Sequence, residues 1–367
     1  MEKDKKIGLL TFHTPDNYGA VYQAFALQTY VSEVLKKEIE IIDFCTDKHI
    51  SDYKIFSRTS KNPIKHTVLQ VLTLLKYWKF KRKKEKFKEF RNKYLRISTN
   101  RYSTEEEFLE HSIRYQTYLL GSDQVFNPYN KYYKAYYLAF PKKDSKKIAY
   151  APSFGIADFN DEIAQKITSY IHDFDVLSCR EQQGAEFLSK LVGKEVKTVV
   201  DPVYLIDKEV WESIEKKPKE KDKFIFVYDL SGCEKLIEIA TKIASDVKYR
   251  IICATSNIRK IYKNCEMRYD IGPSELLGYI NKAEYVVTDS FHGTSLSLVY
   301  RKKLITYIAI PKLSSRITSL MTNLGIANQI VTDIVNFNIK RIDFINYSDK
   351  LSSLITESKD FLNKSLS

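Results

Sequence analysis

Residues 5–44 read KKIGLLTFHTPDNYGAVYQAFALQTYVSEVLKKEIEIIDF. The apolar run Ile7–Phe12 passes into a polar loop, a helical pattern extends from Gly19 to about Lys36, and EIEIIDF (38–44) has the composition of a second strand. Strand, helix and strand in that order make a βαβ unit. Such a unit implies a parallel sheet joined by a right-handed crossover.

The alternation continues along the chain. QTYLLGSDQVFN (116–127), KKIAYAPSFG (146–155), DVLSCREQQGAEFLSKLVG (175–193) and VKTVVDPVYLI (196–206) each pair a short apolar strand with a polar or glycine-containing loop. Residues 215–223, EKKPKEKDK, are charged, carry a proline and read as a linker. Beyond it the pattern restarts with KFIFVYDL (223–230), a helix over 232–245, YRIICAT (249–255), a helix in PSELLGYINKAE (273–284), then EYVVTDSFHGTSLSLVY (284–300) and KKLITYIAI (302–310). The expected fold is α/β, with two Rossmann-like, doubly wound domains facing each other across a cleft. Their bounds are residues 1–214 and 223–345. A helix in 346–367 is expected to pack back on the first domain.

At 367 residues and 44% hydrophobic, the chain is long enough for two cores. MEKDKKIGLL has no apolar stretch before a cleavage site, and no run is long enough to span a membrane. Cys45, Cys179, Cys233, Cys253 and Cys265 are odd in number and form no CxxC pair. That usage suits a reducing compartment, so the expectation is a cytoplasmic protein without structural zinc or disulfides.

The net charge of +13 is concentrated. Residues 76–96 hold eleven Lys/Arg against two Glu, within a basic helical insertion spanning about 60–100. Phe87, Phe90 and Tyr94 recur at helical spacing there. The block is either a solvated helix packed by its aromatic stripe or a contact for an anionic membrane or lipid diphosphate. No nucleic-acid-binding motif accompanies it, so nucleic acid is set aside.

Doubly wound folds bind ligands at the carboxyl ends of their strands. Past EYVVT lies His292, followed by Gly293, which lets the backbone approach a ligand, and by Thr294 and Ser295, which suit a helix N-cap. A helix start there favours an anion and a neutral imidazole able to accept a proton. The bland alternative is a core histidine tying a turn together. In HTPDNYGA, Asp16 and Asn17 precede Gly19 at a helix start, where they either cap the helix or hold a sugar hydroxyl or phosphate, while His13 is a loop residue. Ser122, Asp123 and Gln124 follow a strand, and Asp123 either binds sugar hydroxyls or caps a turn. Arg180 follows DVLSC, where a guanidinium can clamp a carboxylate or phosphate or make a buried salt bridge. Arg316 is a weaker case on a helix surface. No His, Cys or carboxylate cluster has metal-ligand spacing, so no metal is expected.

Taken together, NYGAVYQAFAL (17–27), GSDQVFN (121–127), YAPSFG (150–155), CREQQGAEFLSKLVG (179–193) with VVDPVYL (199–205), and EYVVTDSFHGTSLSLVYRKKLITY (284–307) resemble the polysaccharide pyruvyl transferase family. The motifs occur in the family's order over roughly residues 6–325, and residues 50–112 match nothing assigned to it. The resemblance implies a GT-B-like pair of domains and transfer of the pyruvyl group of phosphoenolpyruvate to two hydroxyls of a sugar, closing a cyclic ketal on a cell-surface polysaccharide unit. Phosphoenolpyruvate would be co-substrate, with no cofactor. The resemblance makes His292 catalytic and Arg180 a donor ligand. Ser290, Gly293, Thr294 and Arg316 join it on the donor side, while Asn17, Gly19, Ser122, Asp123 and Gln124 face the acceptor from the first domain. A lipid-linked acceptor would explain the basic helix.

One departure bears on the donor. Family members often carry an arginine two residues before the histidine, and this chain has Ser290. Arg316 or Lys312 then replaces it, or the donor is another molecule. Two rival readings follow: a glycosyltransferase of the same build using a nucleotide sugar, and a non-catalytic subunit of a polysaccharide-assembly complex.

Overall fold

The computed structural model describes residues 4–46, 71, 74–111, 115–140, 145–156, 158–255, 257, 260–309 and 315–367. Lys312 and the insertion's beginning, at 60–70, lie outside the described residues. The first sheet holds β1 (Asp4–Leu10), β2 (Ile39–Phe44), β3 (Ile97–Tyr102), β4 (Tyr115–Leu120), β5 (Lys146–Ala149), β6 (Val176–Cys179) and β7 (Lys197–Thr198), all parallel. Their spatial order is β3-β2-β1-β4-β5-β6-β7. The second sheet holds β8 (Phe224–Asp229), β9 (Arg250–Thr255), β10 (Glu266–Arg268), β11 (Tyr285–Thr288), β12 (Lys303–Tyr307) and β13 (Ile330–Val331), again parallel, in the order β10-β9-β8-β11-β12-β13. Two Rossmann-like domains result, as the alternating pattern requires.

Chain direction across each sheet reverses once, between β1 and β4 and between β8 and β11. Such a switch point opens a crevice beyond the strand ends. The loops there are those after Leu10, Leu120, Asp229 and Thr288, which hold most of the sequence-predicted site residues.

The helices that position the site are α1 (Tyr18–Thr29), α2 (Tyr77–Tyr94), α3 (Pro273–Lys282), α4 (Phe291–Val299) and α5 (Ser348–Leu366). α1 ends earlier than its sequence pattern and continues as a π-helical turn, Tyr30–Val34. β3, β10, β13 and the helix Asp161–Ile171 were not expected. The three strands are edge or short segments, and β3 (ISTNRY) is mostly polar and exposed, so none carries a strong apolar period.

The aromatic stripe of α2 packs in the seam between the domains. Phe87 and Phe90 are buried against Tyr18, Tyr22 and Phe25 of α1, and Trp211 closes the group. Each of the two phenylalanines contributes roughly 2–3 kcal/mol by leaving water. The opposite domain is held by polar contacts. Lys86 Nζ donates to Glu275 Oε2 at 2.6 Å and to Asp270 O at 2.7 Å, Tyr18 OH to Ile271 O at 2.6 Å, and Tyr22 OH to Pro273 O at 2.7 Å. The basic helix is therefore a bridge between domains as well as a charged surface. α5 leaves the second domain and lies on the first, where Ser358 Oγ accepts from Val200 N at 3.0 Å and Asn363 Oδ1 from Tyr30 OH at 3.0 Å.

Candidate active site

The N-cap of α4 lies four residues before Thr294, the first of the two expected cap residues. Ser290 is the N-cap, with extended backbone, and its Oγ accepts from Gly293 N at 3.2 Å. Thr288 Oγ1 accepts from Ser290 N at 3.1 Å and donates to Tyr228 O at 2.7 Å, which locks the turn to β8. A Cβ on Gly293 would stand 2.7 Å from Thr288 Oγ1 and 2.8 Å from Tyr228 Cδ1, so only glycine lets the helix start so close to the sheet. Thr294 is not a cap. Its hydroxyl faces inward, 3.1 Å from Thr306 Oγ1, and Ser295 is likewise buried. Thr294 and Ser290 are thus engaged in holding the turn, which puts His292 in the first helical turn with its ring at the domain interface.

Two groups flank that ring. On one edge lies Gly19 of the first domain: a Cβ there would come within 2.1 Å of His292 Nδ1. On the other, His292 Nε2 is 3.5 Å from Asp201 Oδ2, within ion-pair range but long for a hydrogen bond. Asp201 is buried and accepts from Ser122 Oγ at 3.0 Å, from Val203 N at 3.1 Å and from Arg180 Nη1. Burial alone would raise its pKa. His292, the Arg180 guanidinium and the Val203 amide outweigh that and hold the carboxyl well below the usual carboxylate range. The sequence reading weighed only the helix dipole at His292 and missed this carboxylate.

Arg180 is also buried, and its Nη1 donates to Ser122 Oγ at 3.3 Å. Its Nε and Nη2 have no hydrogen-bond partner among the described residues. Phe291 lies between two guanidinium groups, 4.5 Å from Arg180 Cζ and 5.8 Å from Arg316 Cζ, measured to the ring centre. In the amide orientation that satisfies both partners, Gln124 Oε1 accepts from Arg316 Nη1 at 3.1 Å and Nη2 at 2.9 Å. Burial, then the charge of Arg180, pulls the Arg316 pKa below the usual arginine value. Arg316 is therefore part of the convergent group and not a solvated surface residue.

Asp123 adopts φ 73° and ψ −172°, a region suited to glycine that costs an aspartate on the order of 1–3 kcal/mol. Its Oδ1 accepts from Gln124 N at 2.9 Å and its carbonyl from Ser153 N at 2.8 Å, so the loop is pinned to YAPSFG. Glu181 is buried beside Arg180. Its Oε1 accepts from Phe154 N at 2.7 Å and Ser153 Oγ at 3.1 Å, while Oε2 has no partner among the described residues.

The structure thus brings His292, Gly19, Ser122, Arg180, Gln124 and Arg316 to one place, drawing on both domains. Ser122 and Gln124, expected on the acceptor side, stand with the arginines. Asn17 is the N-cap of α1, its Oδ1 accepting from Gly19 N at 2.9 Å, and Asp16 is paired with both Nη atoms of Arg91 at 3.0 Å. His13 is tied to Thr11 O in its own loop and to Asp43 Oδ1 of β2. Sequence reasoning missed Asp201, Phe291 and Glu181. The signal for Asp201 was its place directly after the apolar pair Val199–Val200, at a strand end.

Among solved structures, the chain resembles UDP-GlcNAc 2-epimerase from Neisseria meningitidis bound to UDP-GlcNAc, with 9% identity, 99% of each chain covered and a TM-score of 0.53. It also resembles UDP-GlcNAc 2-epimerase from Methanocaldococcus jannaschii (14% identity, 96% and 92% covered, TM-score 0.48). A Streptomyces glycosyltransferase complexed with thymidine diphosphate is similar too (9%, 97% and 96%, 0.47). At 9% identity the likeness to the Neisseria structure concerns the two-domain, GT-B-like fold alone. No curated protein matches the chain significantly. The family model described as polysaccharide pyruvyl transferase matches residues 17–309, a span that contains Gly19, Arg180, Asp201 and His292. The chain belongs to the polysaccharide pyruvyl transferase family.

Proposed function

We propose that the protein transfers the pyruvyl group of phosphoenolpyruvate to two hydroxyls of a sugar, forming a cyclic ketal during cell-surface polysaccharide synthesis. The observation that carries this reading is the unsatisfied face of Arg180, with Nε and Nη2 buried and open, beside a second guanidinium from Arg316. A buried guanidinium with two spare donors beside a second, partly buried one suits a ligand bearing both a phosphate and a carboxylate. Arg316 takes the part of the arginine that Ser290 replaces. Each charge-assisted contact is worth roughly 1.5–3 kcal/mol.

In this scheme a proton reaches the methylene carbon of the donor, and its central carbon becomes cationic. A sugar hydroxyl adds there and gives its proton to His292, whose imidazolium faces Asp201. His292 then returns that proton to the departing phosphate. The second hydroxyl adds to the regenerated cationic carbon and closes the ring, and its proton resets the group that protonated the methylene. Arg180 and Arg316 hold the donor charge as it redistributes.

Calorimetric titration with phosphoenolpyruvate, and separately with UDP-sugars, tests the donor. Saturable phosphoenolpyruvate binding is expected, weakened tenfold or more by Arg180→Ala and by Arg316→Ala. Binding of a nucleotide sugar in its place would move the protein to the glycosyltransferase reading.

We further propose that the enzyme meets its acceptor at an anionic membrane surface in the cytoplasm. Val71, Leu74, Leu75 and Trp78 are between 51% and 76% exposed, next to Lys79, Lys81 and Arg82, the mixture that settles on anionic lipid. No helix among the described residues is long and apolar enough to cross a membrane. Co-sedimentation with phosphatidylglycerol vesicles should exceed that with phosphatidylcholine vesicles and fall in Trp78→Ser. Equal recovery with both lipids would remove the idea.

A further inference from the structure

The aromatic stripe of α2 contains one residue of the wrong kind. Phe80, Lys83, Phe87, Phe90 and Tyr94 follow one another at spacings of three and four, so a lysine occupies a core-facing position. It is only 9% exposed. Its ammonium lies 4.9 Å from the centre of the Tyr18 ring and has no hydrogen-bond acceptor or ion-pair partner among the described residues. Asp16 is the carboxylate that acts on it electrostatically, but Asp16 Oδ1 is engaged by both Nη atoms of Arg91. A largely buried lysine without a protein partner is costly, and its ammonium opens onto space where an anion can reach it.

The open space is present. A cavity of about 260 Å³ between the domains is lined by Asn17, Tyr18, Phe80, Lys83, Lys84 and Tyr228, with Leu230 and the carboxylate Asp16, whose charge Arg91 offsets. It is separate from the arginine cluster. The loop that carries Asn17 runs on to Gly19, against the Nδ1 edge of His292, whereas Arg180 reaches Asp201 on the Nε2 edge. The cavity thus lies beyond the Gly19 turn from the imidazole, and the Arg180–Asp201 pair lies on the ring's other edge.

We propose that this cavity holds an anionic group of the sugar acceptor, a phosphate or a carboxylate, with Lys83 as its principal ligand and Lys84 beside it. The proposal rests on the transferase reading above and narrows its acceptor to an acidic sugar or a sugar phosphate. Tyr228 and Phe80 offer flat apolar faces to the sugar ring, and the ammonium groups supply its charge partner.

The test is calorimetric titration of the full chain with a hexose 1-phosphate and with glucuronate, each in the presence and absence of phosphoenolpyruvate. Wild type should bind one of the two. Lys83→Met should weaken that binding tenfold or more and leave phosphoenolpyruvate affinity unchanged, and Lys84→Met should weaken it less. Preference for the hexose phosphate identifies a phosphate source, and preference for glucuronate a carboxylate. Melting temperature separates this from a structural role: Lys83→Met should melt at or above wild type, because it removes a desolvated charge. Unchanged anion binding in Lys83→Met, or no binding of either probe by wild type, overturns the proposal. Failure to bind phosphoenolpyruvate while the lysine-dependent binding persists would instead sink the donor assignment and leave the cavity assignment standing.

Discussion

The turns Asp16–Gly19 and Ser290–Gly293 are the same device in opposite domains, and they meet face to face. Each follows the β-strand at its sheet's switch point, each has a polar cap whose oxygen accepts from a glycine amide, and each starts a helix, α1 or α4. Their glycines answer different neighbours. Gly293 makes room for its own sheet, at Thr288 and Tyr228, while Gly19 makes room for the His292 ring of the other domain. The second turn carries His292, the base of the proposed reaction, and the first is shaped to receive its ring. Under the proposed reaction, a residue without a functional side chain would then be as necessary to turnover as the base.

Exchanging the glycines breaks or sharpens that contrast. In Gly19→Ala the new methyl would sit 2.1 Å from Nδ1, so the imidazole must leave its place. Turnover should fall by about a hundredfold or more, the scale of losing a positioned base, with a melting temperature within a few degrees of wild type. Gly293→Ala should behave in the reverse sense. Its methyl meets Thr288 Oγ1 and the Tyr228 ring, and overpacking of this kind costs roughly 1–3 kcal/mol of stability. A lower melting point with a smaller loss of turnover is expected. Parallel steady-state assays and thermal melts on the two variants decide the matter, and equal loss of both properties in both would show that the turns are interchangeable.

That a strand passes into a helix at each turn was legible in the sequence because the signals are local. Apolar runs of strand length, a polar cap and a glycine fix where a strand passes into a helix, and the order of such units fixed the domain pairing. Asp201 was legible only as a residue past a strand end, not as a site residue. An aspartate before a proline has the composition of an ordinary turn, and its weight comes from Arg180, Ser122 and His292, which arrive from other elements. The start of α4 was misjudged because Ser290, Thr294 and Ser295 all carry a capping hydroxyl. Packing of Gly293 against β8 chose among them. Arg316 looked like a surface residue until Gln124 and Phe291 met it from elsewhere in the fold. Lys83 was hidden for the opposite reason, since among eleven cations one more reads as solvated.

Lys83 gives the finest test of the first turn's surroundings, through stability. Its pKa is lowered to about 8, by burial, with Asp16 opposing. The other ionisable groups around it are Lys84, Arg91 paired to Asp16, and Tyr18 and Tyr228; burial pushes the Tyr18 pKa well above 10. In the unfolded chain a lysine keeps its proton to about pH 10.4. Between about pH 8 and that value the unfolded chain binds more protons than the folded one, so this group makes stability rise with pH across the window. Lys83→Met removes the penalty. The variant should be more stable than wild type at pH 7, by up to about 3 kcal/mol, and the gap should close as pH approaches 10. Denaturant melts at pH 7, 8.5 and 10 read this directly. A destabilised variant at pH 7 would mean that Lys83 supports the turn, and the two turns would then differ less than their glycines suggest. A stabilised one would mean that the first domain keeps a costly charge at the edge of the site, as expected where a ligand supplies the missing partner.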